Sequence, residues 1–411
     1  MKEKEFGASV ARTGACTLLT GVTTLVGMAE PSLELVRLPL GFEQFHRRPF
    51  LNYQLNRAYA LGFGDRGELY EAAARVRSAE DCPAVFDDLS ARATAGGRAR
   101  PAAGYLRISE FFTSPRSAAK VERYCRYREL FDAAVTGGGV MRHEVPYGGA
   151  VLPAYQLATV GRRRGAVLVH GGFDSLIEEF FAVWQRLAVA GFDVVAFDGP
   201  GQGGARTLGG LTFDHDWEKP VSAILDHFEL ESAALVGMSM GGYWALRAAG
   251  REPRIKAVVS WPPVYDWLHR LSPALRGPVR SMARHRTFMR WSVRTRARLI
   301  PTLRLVVNQT MYVLDSDDPA DVVDWFLGMN ADHLGSERVN QDVLLLCGEH
   351  DSFQPPALAK AQARALTSAR SVTLRMFTES EQADHHCQIG NLDLACHVMT
   401  TWLQRHHPVA A

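Results

Sequence analysis

The chain is short of paired cysteines, of net charge and of long apolar runs, and each shortage excludes something. Its six cysteines (Cys16, Cys82, Cys125, Cys347, Cys387 and Cys396) are scattered, with no CxxC pair. That argues against a disulfide scaffold and against a structural zinc site, and points to a reducing, cytoplasmic setting. Basic residues outnumber acidic ones by only two, 46 against 44, so overall charge directs the chain neither to nucleic acid nor to a membrane surface. No stretch approaches the length of a membrane span. The segment 15–29, ACTLLTGVTTLVGMA, ends like a secretory h-region, but Glu3 and Glu5 dilute the positive start and Leu and Val are sparse. Residues 1–34 therefore read as a flexible leader or an overlong start. What remains is ordinary globular material: 411 residues, 47% hydrophobic and 22% charged, enough to bury a large core.

Three compositional blocks follow the leader. Residues 35–140 are mostly helical in pattern and form a helical N-terminal lid region. FEQFHRRPFLNYQLNRAYALG and the segment Pro115 to Ala134 place apolar residues at three- and four-residue intervals. Between them ARATAGGRARPAAG (91–104) is small, basic and Gly-rich, and reads as a loop. From 141 to 264, brief apolar runs at Ala166–His170, Phe192–Asp198, Ala233–Gly237 and Ala257–Ser260 alternate with amphipathic segments such as Glu179–Ala190 and Gly241–Ala249. Continuous apolar strands alternating with helices predict a mostly parallel, doubly wound α/β sheet. From 265 to 340 the strand pattern stops and the chain reads as a helical cap insertion. It holds about ten arginines between Arg270 and Arg304, interleaved with Phe288 and Trp291, and then turns acidic at DSDDPADVVDW (315–325). The strand pattern resumes at Val343–Cys347 and Val372–Phe377, so 341–411 reads as the second part of the α/β core.

The strongest local signal is Gly237-Met238-Ser239-Met240-Gly241, a GxSxG between an apolar strand and a helix. On its own this pattern arises by chance; in a strand–turn–helix context it predicts a nucleophilic serine held clear at the carboxyl edge of the sheet. A serine hydroxyl needs a base, and the base needs an orienting acid. Asp351 directly follows the strand Val343–Cys347 and is the expected acid, ahead of Asp315, Asp317 and Asp318, which lie outside the sheet pattern; Glu349 and His350 read as turn residues. The base belongs in the loop TESEQADHHCQIG (378–390) after the last strand, where His385 and His386 cannot be separated by spacing. An oxyanion hole requires two backbone N–H groups. One is expected from Met240, the other from Gly172 or Phe173 in the His170-Gly171-Gly172-Phe173 turn. His170 reads as a loop brace or pocket residue. Asp174, Glu178 and Glu179 are candidates for the pocket wall or for a solvated helix start, where acids are favoured. Asp198-Gly199-Pro200-Gly201-Gln202-Gly203 lacks both the P-loop lysine and the GxGxxG spacing, and reads as a supporting βα turn.

Taken together, HGGFDSLIEEF, DGPGQG, GMSMGG, GEHDSFQPP and ADHHCQIGN resemble one branch of the α/β-hydrolases. This is the FrsA-like group that includes 2,6-dihydroxypseudooxynicotine hydrolase. Within it, the similarity is nearest to the hydrolases that shorten polyketides in fungal melanin and bacterial anthraquinone biosynthesis. The resemblance covers about residues 140–405; GxSxG is generic, while the DGPGQG and HHCQ segments are far more specific. In that group the base immediately precedes the cysteine, which maps to His386 and leaves His385 as a pocket or structural residue. The resemblance also implies a helical N-terminal region, a cap over the pocket, often a homodimer, and no metal or organic cofactor. The expected reaction is hydrolysis of a C–C bond beside a ketone in an aryl ketone or aromatic polyketide, free or carrier-bound. The same triad would serve a carboxylesterase, a thioesterase, an acyltransferase or a cyclase. A binding protein without catalysis is disfavoured because all three triad positions are filled. For the arginine-rich insertion, a solvated cap stands beside docking of an acidic carrier domain or an anionic substrate.

Overall fold

The computed structural model describes residues 34–407; the expected leader, save its last residue, lies outside them. Five helices come first: α1 (Pro49–Ala60), α2 (Arg66–Arg75), α3 (Cys82–Ala95), α4 (Ala99–Phe112) and α5 (Ala118–Val135). Two expectations need correction here. The helix expected across FEQFHRRPFLNYQLNRAYALG begins only at Pro49, because a residue before proline is driven out of the helical region and Arg48 sits at φ −86°, ψ 119°. The loop expected at 91–104 shrinks to three residues, 96–98, between α3 and α4. Alanine and arginine sustain helix on both sides, and Pro101 falls in the first turn of α4, where its missing N–H costs no hydrogen bond.

Among the described residues the sheet has eight strands. They are β1 (Val140–Tyr147), β2 (Ala150–Leu157), β3 (Gly165–His170), β4 (Phe192–Phe197), β5 (Ala233–Met238), β6 (Ile255–Trp261), β7 (Asp342–Gly348) and β8 (Ser371–Phe377). Their spatial order is β1-β2-β4-β3-β5-β6-β7-β8. From β4 to β8 every pairing is parallel, while β1 and β2 add antiparallel at one edge. The β1–β2 hairpin is absent from the strands read in the sequence. It turns on Gly148-Gly149, both at positive φ (56° and 80°), the two-residue turn whose twist matches paired strands.

The helices α6 (Phe181–Val189), α7 (Gly203–Thr207), α8 (Glu218–His227) and α9 (Gly241–Ala249) connect β3 to β6, and α15 (Pro356–Ala365) and α16 (Leu392–His406) flank the last strands. Between β6 and β7 lie α10 (Pro273–Ala283), α11 (Arg286–Leu299), α12 (Pro301–Leu314), α13 (Pro319–Gly328) and α14 (Ala331–Leu334), the helical insertion. One apolar core packs on each face of the sheet, which is why β3, β5 and β7 are apolar along nearly their whole length. Strand β3 lies between β4 and β5, so its connections diverge and open a crevice at the carboxyl ends of β3 and β5. That crevice receives the loops carrying His170-Gly171-Gly172-Phe173 and Ser239. No helix among the described residues is long and apolar enough to cross a membrane.

Candidate active site

Ser239 occupies the turn between β5 and α9 at φ 56°, a left-handed conformation that a side-chain-bearing residue adopts only under constraint. The neighbours must be small for this turn to exist. A Cβ on Gly237 would lie 2.1 Å from the Gly241 carbonyl oxygen, and one on Gly172 would lie 2.8 Å from the Ser239 Cβ. The carboxyl ends of β5, β7 and β8 then bring three side chains together. Ser239 Oγ lies 2.9 Å from His386 Nε2, and His386 Nδ1 lies 2.8 Å from Asp351 Oδ2. With its proton on Nδ1 donated to Asp351, the imidazole leaves Nε2 to accept from the serine hydroxyl. Asp351 is held in turn by the backbone N–H groups of Phe353 (2.9 Å) and Gln354 (2.8 Å). Burial opposes protonation of His386, but the Asp351 carboxylate and Cys387 outweigh it and hold the imidazole well above its usual range.

His386 owes its aim to a strained loop. The next two residues, Cys387 and Gln388, both have positive φ (50° and 52°). Gln388 is fully buried and accepts a hydrogen bond from Trp261 Nε1 at the end of β6. Tyr53 of α1 donates to the His386 carbonyl (3.3 Å). His385, one residue earlier, does not line the cavity and packs on Phe42, ring centroids 4.0 Å apart.

Of the two oxyanion candidates in the loop after β3, the Gly172 N–H is committed to Ser175 Oγ (2.8 Å). The Phe173 N–H has no partner among the described residues. Gln202 of the DGPGQG turn donates to the carbonyls of Gly171 (3.0 Å) and Gly172 (2.7 Å), and so fixes the loop from behind. Gln354 was missed by the sequence analysis. With its amide oxygen and nitrogen interchanged, its amide donates to the Pro262 carbonyl (3.0 Å) and its oxygen accepts from the Met240 N–H (3.2 Å), an orientation that satisfies both groups; an oxyanion at Met240 would then share or displace that contact.

Ser239 and His386 open on a cavity of about 630 Å³ whose wall includes Phe50, Tyr53, Phe111, Phe173, Trp267 and Phe326. Asp174 also lines it; Glu178, His385 and His170 do not. His170 is fully buried under Trp217 and Phe197, and burial pushes its imidazole down to about 3. Glu178 is neither a pocket residue nor a solvated helix start. It is fully buried and accepts from Tyr155 (3.0 Å). Burial raises its carboxyl to about 7, and raises Asp198 well above the carboxylate range, with the Glu178 charge adding to the latter.

An acid raised in the folded state keeps a proton that the unfolded chain has released. Stability therefore falls as pH climbs from the ordinary glutamate range toward 7, and levels off above. Glu178→Gln should remove much of that slope, stabilising the protein at pH 8 by on the order of 2 kcal/mol and having little effect at pH 4. Thermal melts at the two pH values check this; equal destabilisation at both would contradict it.

The most heavily charged part of the cavity wall is one the sequence did not announce. Arg107 of α4 donates to Glu179 (2.8 Å), to the Asp174 carbonyl (2.5 Å) and to Glu110. Arg57 of α1 reaches Glu179 (2.9 Å) and Asp174 (3.3 Å), and Lys120 of α5 reaches Glu110 (2.6 Å). Arg107, Glu110, Lys120 and Glu179 are all buried. The cluster ties three helices of the N-terminal region to the loop that carries Phe173. Its only trace in the sequence is an Arg and a Glu three residues apart inside the otherwise apolar AAGYLRISEFF.

The model of the alpha/beta hydrolase family matches residues 166–389, more than half of the chain. The chain belongs to the alpha/beta hydrolase family. Among curated relatives, Hydrolase acrC of Aspergillus aculeatus is 31% identical over 268 residues, which cover 56% of this chain and 61% of that protein. Alpha/beta hydrolase psoB of Aspergillus fumigatus is 28% identical over 286 residues, 57% of this chain and 62% of that one. The 20-hydroxy-prefusarin hydrolase FUS2 of Gibberella moniliformis is 38% identical over 186 residues, 39% and 43% respectively. The matched segments thus span at most about six-tenths of these relatives. Among solved structures, 2,6-dihydroxy-pseudo-oxynicotine hydrolase superposes with a TM-score of 0.61 at 20% identity, covering 86% of this chain and 97% of that one. AbyA5 superposes with a TM-score of 0.63 at 21% identity, covering 82% and 90%. At this level of identity the superpositions speak to the fold, an α/β-hydrolase sheet preceded by a helical region.

Proposed function

We propose that this α/β-hydrolase cleaves a C–C bond beside a ketone, in a β-diketone of aromatic polyketide type, through an acyl-enzyme on Ser239. The observation that carries the proposal is the Ser239–His386–Asp351 relay opening on an aromatic-walled cavity. Ser239 Oγ attacks the ketone carbon while its proton passes to His386 Nε2. The oxyanion that forms faces the N–H groups of Met240 and Phe173. The C–C bond then breaks, its electron pair leaving as an enolate, and His386 returns the proton to the departing carbon. Water, deprotonated by His386, attacks the acyl carbon and releases a carboxylic acid and free Ser239. The aromatic wall suits a flat aryl substrate, and the relatives named as hydrolases accord with hydrolysis. The N-terminal helices and the cap together act as the lid.

The test is mass spectrometry of products from an aryl β-diketone and from a matched aryl ester. A shortened aryl ketone plus a carboxylic acid, lost in Ser239→Ala, supports C–C hydrolysis. Turnover of the ester alone replaces this reading with that of a carboxylesterase. The charge state of His386 supplies a further check. The imidazole must be neutral to take the serine proton, and Asp351 and Cys387 hold it above its ordinary range despite burial. The acid limb of kcat/KM should therefore fall above pH 6.5; a limb at pH 6 or below would contradict the arrangement.

A further inference from the structure

Among the described residues, seven lysine and arginine side chains line the cavity, and six of them are matched by carboxylates. Arg57, Arg107 and Lys120 belong to the buried cluster, while Arg123, Arg206 and Arg304 pair with Asp87, Asp315 and Glu80. Arg270 is the seventh: it is partly exposed, no ion pair within 4.0 Å is formed by it among the described residues, and the carboxylate whose charge reaches it at longer range is that of Asp351. It ends the short 3-10 turn Trp267–Arg270 at the entrance to the cap. Its guanidinium lies over the Trp267 ring, 4.8 Å from the centroid, and donates to the Phe353 carbonyl. Stacking and one hydrogen bond fix its position and leave donors free, since a guanidinium carries five.

The location gives the unpaired charge a meaning. Phe353 is the residue whose N–H holds Asp351 (2.9 Å) and whose ring packs on His386, centroids 5.1 Å apart. Arg270 therefore stands on the His386 side of the cavity. In a serine hydrolase that is the side of the leaving group, because the histidine hands its proton there. We propose that Arg270 receives an anionic oxygen on the leaving half of the substrate, the enolate oxygen of an expelled ketone or a carboxylate carried beside it. This rests on Ser239 being the nucleophile. In the cleavage step the C–C electron pair delocalises onto that oxygen, which Arg270 holds until His386 protonates the carbon. Charge-assisted hydrogen bonds of this kind change rates by about 10–100-fold.

The test uses two aryl esters of one acid, the leaving phenol bearing a carboxylate in one and its carboxamide in the other. The wild-type chain should prefer the carboxylate ester in kcat/KM by about 10-fold or more. Arg270→Gln should abolish that preference and Arg270→Lys restore part of it. Because the readout is a ratio on one preparation, partial misfolding of a variant cancels. A preference that survives Arg270→Gln, or its absence in the wild type, overturns the proposal. Labelling of wild-type Ser239 by an uncharged fluorophosphonate separates the two levels. Labelling without the preference removes only the role of Arg270, whereas failure to label removes the nucleophile on which it rests.

Discussion

Ser239→Ala should lower kcat/KM on any substrate the enzyme turns over by roughly 10⁴–10⁶-fold. The size follows from the geometry. Without Oγ, His386 has no proton to take and no acyl-enzyme can form, yet the cavity and the backbone donors remain to bind substrate. The residual rate should thus stay above that in water, and KM should change far less than kcat. The removed hydroxyl's hydrogen bond is to His386 (2.9 Å), so the fold should survive, and circular dichroism with a thermal melt would verify that. A variant retaining more than about a tenth of wild-type turnover would mean that another group attacks.

Arg107→Ala should be the most damaging substitution away from the triad, costing about 3–5 kcal/mol of stability. The reason is that Arg107 balances two buried carboxylates at once, Glu110 and Glu179, and also donates to the Asp174 carbonyl. Truncation leaves Lys120 as the one cationic partner of Glu110 and Arg57 as that of Glu179 among the described residues. Glu179 also accepts from the Leu176 N–H (2.8 Å), which shapes the segment following Phe173. The variant should therefore lose stability and, in its folded fraction, rate. Urea unfolding followed by fluorescence measures the first. A midpoint within error of wild type would show that the cluster does not join the helical region to the core.

The strands β3 to β7 were legible because each is a short, mainly apolar run bounded by turn residues, the mark of a strand buried on both faces, whereas β8 at the sheet edge is only partly buried and was marked by its Val, Leu, Met and Phe. The β1–β2 hairpin was not, since β1 is largely accessible and both strands contain proline, Pro146 and Pro153, which weakens a strand pattern. Its Gly148-Gly149 turn was the available signal. The Gly96-Gly97 pair misled in the opposite direction, marking a tight reversal between two helices and not a loop of fourteen residues. At the site, Ser239 and Asp351 could be located because each follows a strand end. The alternative between His385 and His386 could not be settled by spacing, because a single residue and the two left-handed positions after it decide which ring faces Ser239. Glu178 and Glu179 are adjacent yet live in different surroundings, one beside Tyr155 and the other beside Arg57 and Arg107. The arginine contacts of Glu179 lie more than seventy residues apart in the chain and the Glu178–Tyr155 contact 23 residues apart, separations that local pattern does not encode.

The most direct test of the account is to treat the wild-type protein with a fluorophosphonate, digest it and map the adduct by mass spectrometry. The account predicts one adduct, on the peptide carrying Ser239, formed by native protein and not by heat-denatured protein. An active preparation that stays unlabelled, or that carries the label on another residue, would contradict it.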